Sequence, residues 1–101
     1  MNMKIPINQN EIEAFCRRNR IRRLALFGSV LRDDFGPDSD IDVLVEFEPD
    51  ARVGFFELYD MEQELSRLLG CRKVDMNTPG SLSKYFRDDV LREAEVQYAR
   101  T

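Results

Sequence analysis

Residues 40–47 read DIDVLVEF, and this octet constrains the fold more than any other stretch of the chain. Its alternation puts Ile41, Val43, Val45 and Phe47 on one face and Asp40, Asp42, Leu44 and Glu46 on the other. Only a β-strand sorts the residues this way, and its apolar face requires cover from helices. Asp40 and Asp42, two apart on one face, have backbones about 7 Å from each other. In a dry and unpaired setting the two carboxylates would repel. A cation removes that cost, and leaning carboxylates can share two metal ions about 3.5–4 Å apart. An isolated D-x-D is explained as well by solvated acids on an exposed sheet edge, so its meaning depends on what surrounds it.

The surroundings alternate helix with strand. Residues 8–19 predict a short helix, capped by Asn8 or Asn10, with Ile12, Phe15 and Cys16 on one face. Residues 21–27, IRRLALF, predict a strand ended by Gly28. Residues 29–34 allow one turn of helix, 36–39 a loop and 48–52 a turn. Residues 54–69 predict an amphipathic helix that buries Phe55, Leu58, Tyr59, Leu65, Leu68 and Leu69, with Gly70 just past its end. Residues 72–77 predict a third strand with Asp75 on the face opposite Val74 and Met76. After a loop at 78–81, residues 82–99 predict a last helix packing Leu82, Phe86, Val90, Leu91 and Ala94. The expected architecture is α/β (α+β), a single domain over residues 1–101, in which about four helices cover a small three-stranded mixed sheet.

Composition removes whole classes of chemistry. The chain has no histidine and two cysteines, which excludes Ser-His-Asp and Cys-His catalysis, histidine metal sites and a four-cysteine zinc site. Neither G-x-x-x-x-G-K-[ST] nor G-x-G-x-x-G occurs. Carboxylates, arginines, hydroxyls and backbone amides remain, a set suited to hard cations and phosphates. No apolar run reaches the length of a membrane span, and the first ten residues lack a signal peptide's apolar centre, so the cytoplasm is the expected compartment. The net charge of −4 does not suit a general nucleic-acid binder. Five arginines within residues 17–23 leave a local anionic contact open, with a solvated helix end and strand edge as the plainer account.

Gly28-Ser29 stands where the first strand ends and a helix begins. Glycine permits close backbone approach to a ligand, and free amides with a serine hydroxyl can bind phosphate. Arg32, one helical turn on, can reach the same anion or pair with Asp33, Asp34 or Asp38. Asp38, Asp40 and Asp42 also match the start of an EF-hand loop, but that pattern needs Gly at 43 and Glu at 49, where the chain has Val43 and Pro49. If the three strands are neighbours, Asp40, Asp42 and Asp75 converge on one side of the sheet beside the Gly-Ser turn. That layout fits a triphosphate, two Mg²⁺ ions held by Asp40, Asp42 and Asp75, and an incoming hydroxyl whose proton passes to Asp75.

Gly28-Ser29-Val30-Leu31-Arg32 followed by Ser39-Asp40-Ile41-Asp42-Val43-Leu44-Val45 resembles the signature of the polymerase-β-type nucleotidyltransferases, and most of all their smallest branch, the minimal nucleotidyltransferases (MNT). The resemblance implies that Gly28 and Ser29 hold nucleotide phosphates, with Arg32 and Ser39 beside them. It implies that Asp40 and Asp42 bind Mg²⁺ and that Asp75 completes a catalytic triad. It further implies ATP as substrate and an antitoxin role, with AMP transferred to a tyrosine of a partner HEPN ribonuclease toxin. Two alternatives are an antitoxin that neutralises by binding alone and a transferase acting on RNA or a small molecule. The last is disfavoured because 101 residues leave no room for a domain that grips such an acceptor. A partner implies exposed apolar surface, for which Phe55, Phe56, Tyr85 and Tyr98 are candidates.

Overall fold

A computed structural model describes residues 7–31, 36, 38–85 and 87–100. Helix α1 (Gln9–Arg18) starts at Asn8, whose side-chain oxygen accepts the Glu11 amide at 3.1 Å. Glu11 in its first turn and Arg17 and Arg18 in its last complement the helix dipole. Ile12, Phe15 and Cys16 form its buried stripe. Burial pushes the Cys16 thiol up to about 12, so it stays protonated and serves as a small apolar core group.

Strand β1 (Ile21–Phe27) runs antiparallel to β2 (Ile41–Phe47), with Leu24 opposite Val45 and Phe27 opposite Asp42. A 3₁₀ turn, Gly28–Leu31, follows β1 directly. From β2 the chain crosses through helix α2 (Phe55–Leu68) into β3 (Val74–Asn77), which lies parallel to β2. Gly70 ends the crossover helix at φ 90°, and the Cys71 amide reaches back to the Ser66 carbonyl at 2.8 Å. The sheet order is β3-β2-β1-β4.

Ile41, Val43 and Val45 of β2 are fully buried, packed with Leu24, Leu26, Val74 and Met76 against α1 and α2. A smaller cluster of Leu44, Leu82 and Val90, with Phe27 against it, covers part of the other face. Among the described residues no helix is long and apolar enough to cross a membrane.

Two expectations need correction. Residues 82–99 are not one helix: α3 spans Arg87–Glu93, and Glu95–Ala99 form β4. Leu82 and Val90 are buried as expected, Leu91 is exposed, and Phe86 lies outside the described residues. β4 pairs antiparallel with β1, Leu24 facing Tyr98, so the sheet has four strands and β1 is interior. The hydrogen-bonding groups along a β1 edge would otherwise lack partners, and pairing them outweighs helical periodicity in the last five residues. The second correction concerns α2. Met61 and Leu65 are its buried residues, while Phe55 and Tyr59, expected inside, are 91% and 60% exposed.

Candidate functional site

Strand pairing assembles one end of the sheet. Antiparallel pairing of β1 with β2 sets Phe27 beside Asp42, and parallel pairing of β2 with β3 sets Asp75 beside Asp42. Directly paired residues point to the same face, so Phe27, Asp42 and Asp75 form a row across three strands about 4.8 Å apart. This is the face that carries Leu44, two residues along β2. There α3 and the 3₁₀ turn Pro79–Ser81 cover the middle of the sheet, while Asp75 remains exposed and Asp42 half-buried.

Gly28 closes the row. Its φ of 78° is a left-handed conformation that L side chains rarely adopt. A β-carbon built there would drive into Oδ2 of Asp42 and lie 3.2 Å from its Cγ. The backbone after β1 thus lies against the Asp42 carboxylate, and only glycine permits that approach. Val30, 1% exposed, anchors the turn in the core, and Ser29, next to Gly28, is half-buried.

The other expected site residues are placed less uniformly. Asp40 precedes β2, and its Oδ2 lies 3.8 Å from the Lys73 ammonium. Among the described residues no three carboxylate, cysteine or histidine side chains are grouped as a ready-made metal site. Asp40, Asp42 and Asp75 therefore share one end of the sheet without closing into a cage. Their donor chemistry still fits Mg²⁺, which is commonly held by one or two carboxylates plus substrate phosphates. Ser39 Oγ accepts the Gly36 amide at 3.1 Å, so its hydroxyl shapes the approach to Asp40 and keeps its proton for donation. Arg32 lies outside the described residues.

The arginine run is met by the chain's own acids. Arg17 pairs with Glu13 at 2.6 Å, Arg18 with Glu64, Arg20 with Asp50, and Arg22 with Glu46 at 3.3 Å. Sequence reasoning missed Arg72, whose Nη2 donates to the carbonyls of Gly36 and of Ser39, the latter at 3.0 Å. It also missed Lys73 beside Asp40. The signal for both was their position, immediately before the strand that carries Asp75.

Residues 10–96 match the family described as nucleotidyltransferase domain. The protein adenylyltransferase MntA of Thermococcus cleftensis is 37% identical over 73 residues, 72% of this chain and 71% of that protein. A crystal structure of a toxin–antitoxin with AMP-PNP shares the fold with a TM-score of 0.72 at 22% identity, over 94% of this chain and 76% of that one. A structure of the tri-AMPylated Shewanella oneidensis HEPN toxin in complex with MNT antitoxin gives a TM-score of 0.64 at 22% identity, over 90% and 69%.

Proposed function

The chain belongs to the nucleotidyltransferase domain family, and from that premise we propose that it transfers AMP from ATP to a tyrosine of a HEPN-type ribonuclease toxin, with Mg²⁺, and thereby acts as an antitoxin. The observation that carries this reading is the contact of the Gly28 backbone with Asp42 in the same row as Asp75. Gly28, Asp42 and Asp75 thus stand together at one end of the sheet, which supports reading them as a phosphate turn, a metal-holding carboxylate and a general base. The relative in T. cleftensis is named a protein adenylyltransferase, and the S. oneidensis complex pairs an MNT antitoxin with a tri-AMPylated HEPN toxin. Phe55 and Phe56, 91% and 85% exposed, and Tyr85 offer apolar surface of the kind that partner proteins cover. Tyr98, another candidate for such a surface, packs instead against the main core.

In this reaction the tyrosine oxygen forms a bond to the α-phosphorus while the α–β phosphoanhydride bond breaks and pyrophosphate leaves. Asp75 accepts the phenolic proton, a task for which this histidine-free chain has carboxylates to offer. Gly28 and Ser29 receive the phosphates through backbone amides and a hydroxyl. Asp40 and Asp42 would hold Mg²⁺, which supplies charge neutralisation to the triphosphate.

Incubating the chain and a purified HEPN toxin with ATP labelled at the α-phosphate tests the proposal. Label should appear on a toxin tyrosine, depend on Mg²⁺ and accompany loss of ribonuclease activity. Toxin neutralised without label would leave the binding-only antitoxin as the correct account.

Two substitutions probe the phosphate turn. Ser29→Ala removes one hydrogen bond to a charged group, and a tenfold loss of Mg·AMP-PNP affinity is the expected scale, about 1.4 kcal/mol. Gly28→Val places a β-branched side chain at positive φ against Asp42 and should cost more than Ser29→Ala in both affinity and melting temperature. Calorimetric titration of both variants checks this. Unchanged affinity in the two would move the phosphates elsewhere.

A further inference from the structure

We propose that Arg72 is a positioning residue for Asp40, fastening the backbone ahead of β2 and so fixing where the Asp40 carboxylate stands. The inference rests on the reading of Asp40 as a metal-holding group. Asp40 lies outside the β2 ladder, whereas Asp42 is held by pairing on both sides. Something other than the sheet must therefore hold it.

The structure supplies that hold from one dipeptide. Arg72 Nη2 donates to the Ser39 carbonyl at 3.0 Å and to the Gly36 carbonyl. Those residues are also tied to each other, the Ser39 amide donating to Gly36 O at 3.1 Å and the Gly36 amide to Ser39 Oγ at 3.1 Å. On the other side of Asp40, the Ile41 amide donates to the Lys73 carbonyl at 2.8 Å. The backbones of residues 39 and 41 are thus held by residues 72 and 73, with Asp40 between them. Arg72 is anchored in turn, since its carbonyl accepts the Ser66 hydroxyl at the end of α2. A continuous set of contacts therefore runs from α2 through Arg72 to the residue before Asp40.

This arrangement suits a metal ligand on a loop. A carboxylate that must search for its ion binds less tightly than one held within a fraction of an ångström. Outer contacts of this kind typically change metal affinity 10–100-fold. A charged guanidinium on two carbonyls is a strong contact to neutral acceptors, and lysine at the same place keeps a charged donor but loses the planar fork and some of its reach.

The test is Mn²⁺ affinity in the presence of AMP-PNP, followed by the paramagnetic signal of free Mn²⁺, with melting temperature measured in parallel. Arg72→Ala should weaken Mn²⁺ binding at least tenfold, and Arg72→Lys should recover part of the loss. Combined with Asp40→Asn, Arg72→Ala should cost little further, because both act through one carboxylate. Unchanged affinity in Arg72→Ala, or losses that add in the double variant, would overturn the assignment. If Asp40→Asn alone left Mn²⁺ affinity unchanged, the reading of Asp40 as a metal ligand would fail instead. Should Arg72→Ala not fold, Arg72→Gln carries the same comparison.

Discussion

Asp42→Asn should abolish AMP transfer, with a rate loss of at least about 10³-fold, while the chain stays folded. Removing a single electrostatic donor from an active site typically costs 10²–10³-fold, and loss of the carboxylate proposed to hold Mg²⁺ should meet or exceed that. Asp42 is the residue on which the site's geometry converges. It is paired with Phe27 on one side and Asp75 on the other, and the Gly28 backbone lies against its carboxylate. Asparagine keeps that shape, so the Gly28 approach survives. Neutralising Asp42 also removes a like charge beside Asp75. The melting temperature should therefore shift by no more than a few degrees. Asp40→Asn should follow the same pattern with a smaller loss, since Asp40 stands at the margin of the row. Single-turnover transfer with labelled ATP, measured beside thermal melts, checks both. Transfer that persisted in the Asp40→Asn, Asp42→Asn double variant with excess EDTA would refute the metal assignment.

Legibility of the fold in the sequence varied with how local the deciding forces are. β2 was plain because its apolar Ile41, Val43, Val45 and Phe47 recur at every second position, with Leu44 the one apolar residue on the opposite face. α1 was plain because its cap, its dipole-matched charges and its apolar stripe agree. β4 was not, because Leu82, Phe86, Val90 and Ala94 recur at helical spacing up to the point where Val96 and Tyr98 begin to alternate. What settles Glu95–Ala99 as a strand is the edge of β1, more than sixty residues earlier. Phe55 and Tyr59 extended the apolar stripe of α2 in sequence, but the helix packs through Met61 and Leu65, with Leu58 and Leu68 beside them.

The candidate site divides along the same line. Gly28, Ser29 and the two aspartates of D-x-D were legible as residue types that chemistry needs. Their meeting followed from one hairpin-like pairing of adjacent strands. Arg72 was not legible, because it acts on the carbonyls of Gly36 and Ser39, 36 and 33 residues away. A carbonyl acceptor belongs to every residue and leaves no trace in the letters.

Asp75 combines both cases, and Asp75→Asn is the variant whose outcome assigns its role. The acid was visible only as a polar residue between Val74 and Met76. Its pairing with Asp42 comes from the parallel crossover through α2, which sets β3 beside β2 rather than beside β1. The side chain is exposed on the open face. The two neighbouring carboxylates are thereby differentiated: Asp42 is half-buried against Gly28, and Asp75 is exposed, which suits the general-base role proposed for it. A group that acts on the hydroxyl contributes in the transition state rather than to the resting complex. Asp75→Asn should therefore leave Mg·ATP affinity within about twofold and lower the transfer rate by 10²–10⁴-fold, the usual range for lost general-base assistance. Raising the pH should recover part of that rate, because a phenol ionises near pH 10 and then needs no base. Single-turnover transfer over a pH series, with nucleotide affinity measured on the same preparation, separates the possibilities. An equal loss of affinity and rate would make Asp75 a ligand of the resting metal–nucleotide complex. A rate close to that of the unmodified chain would remove it from the reaction.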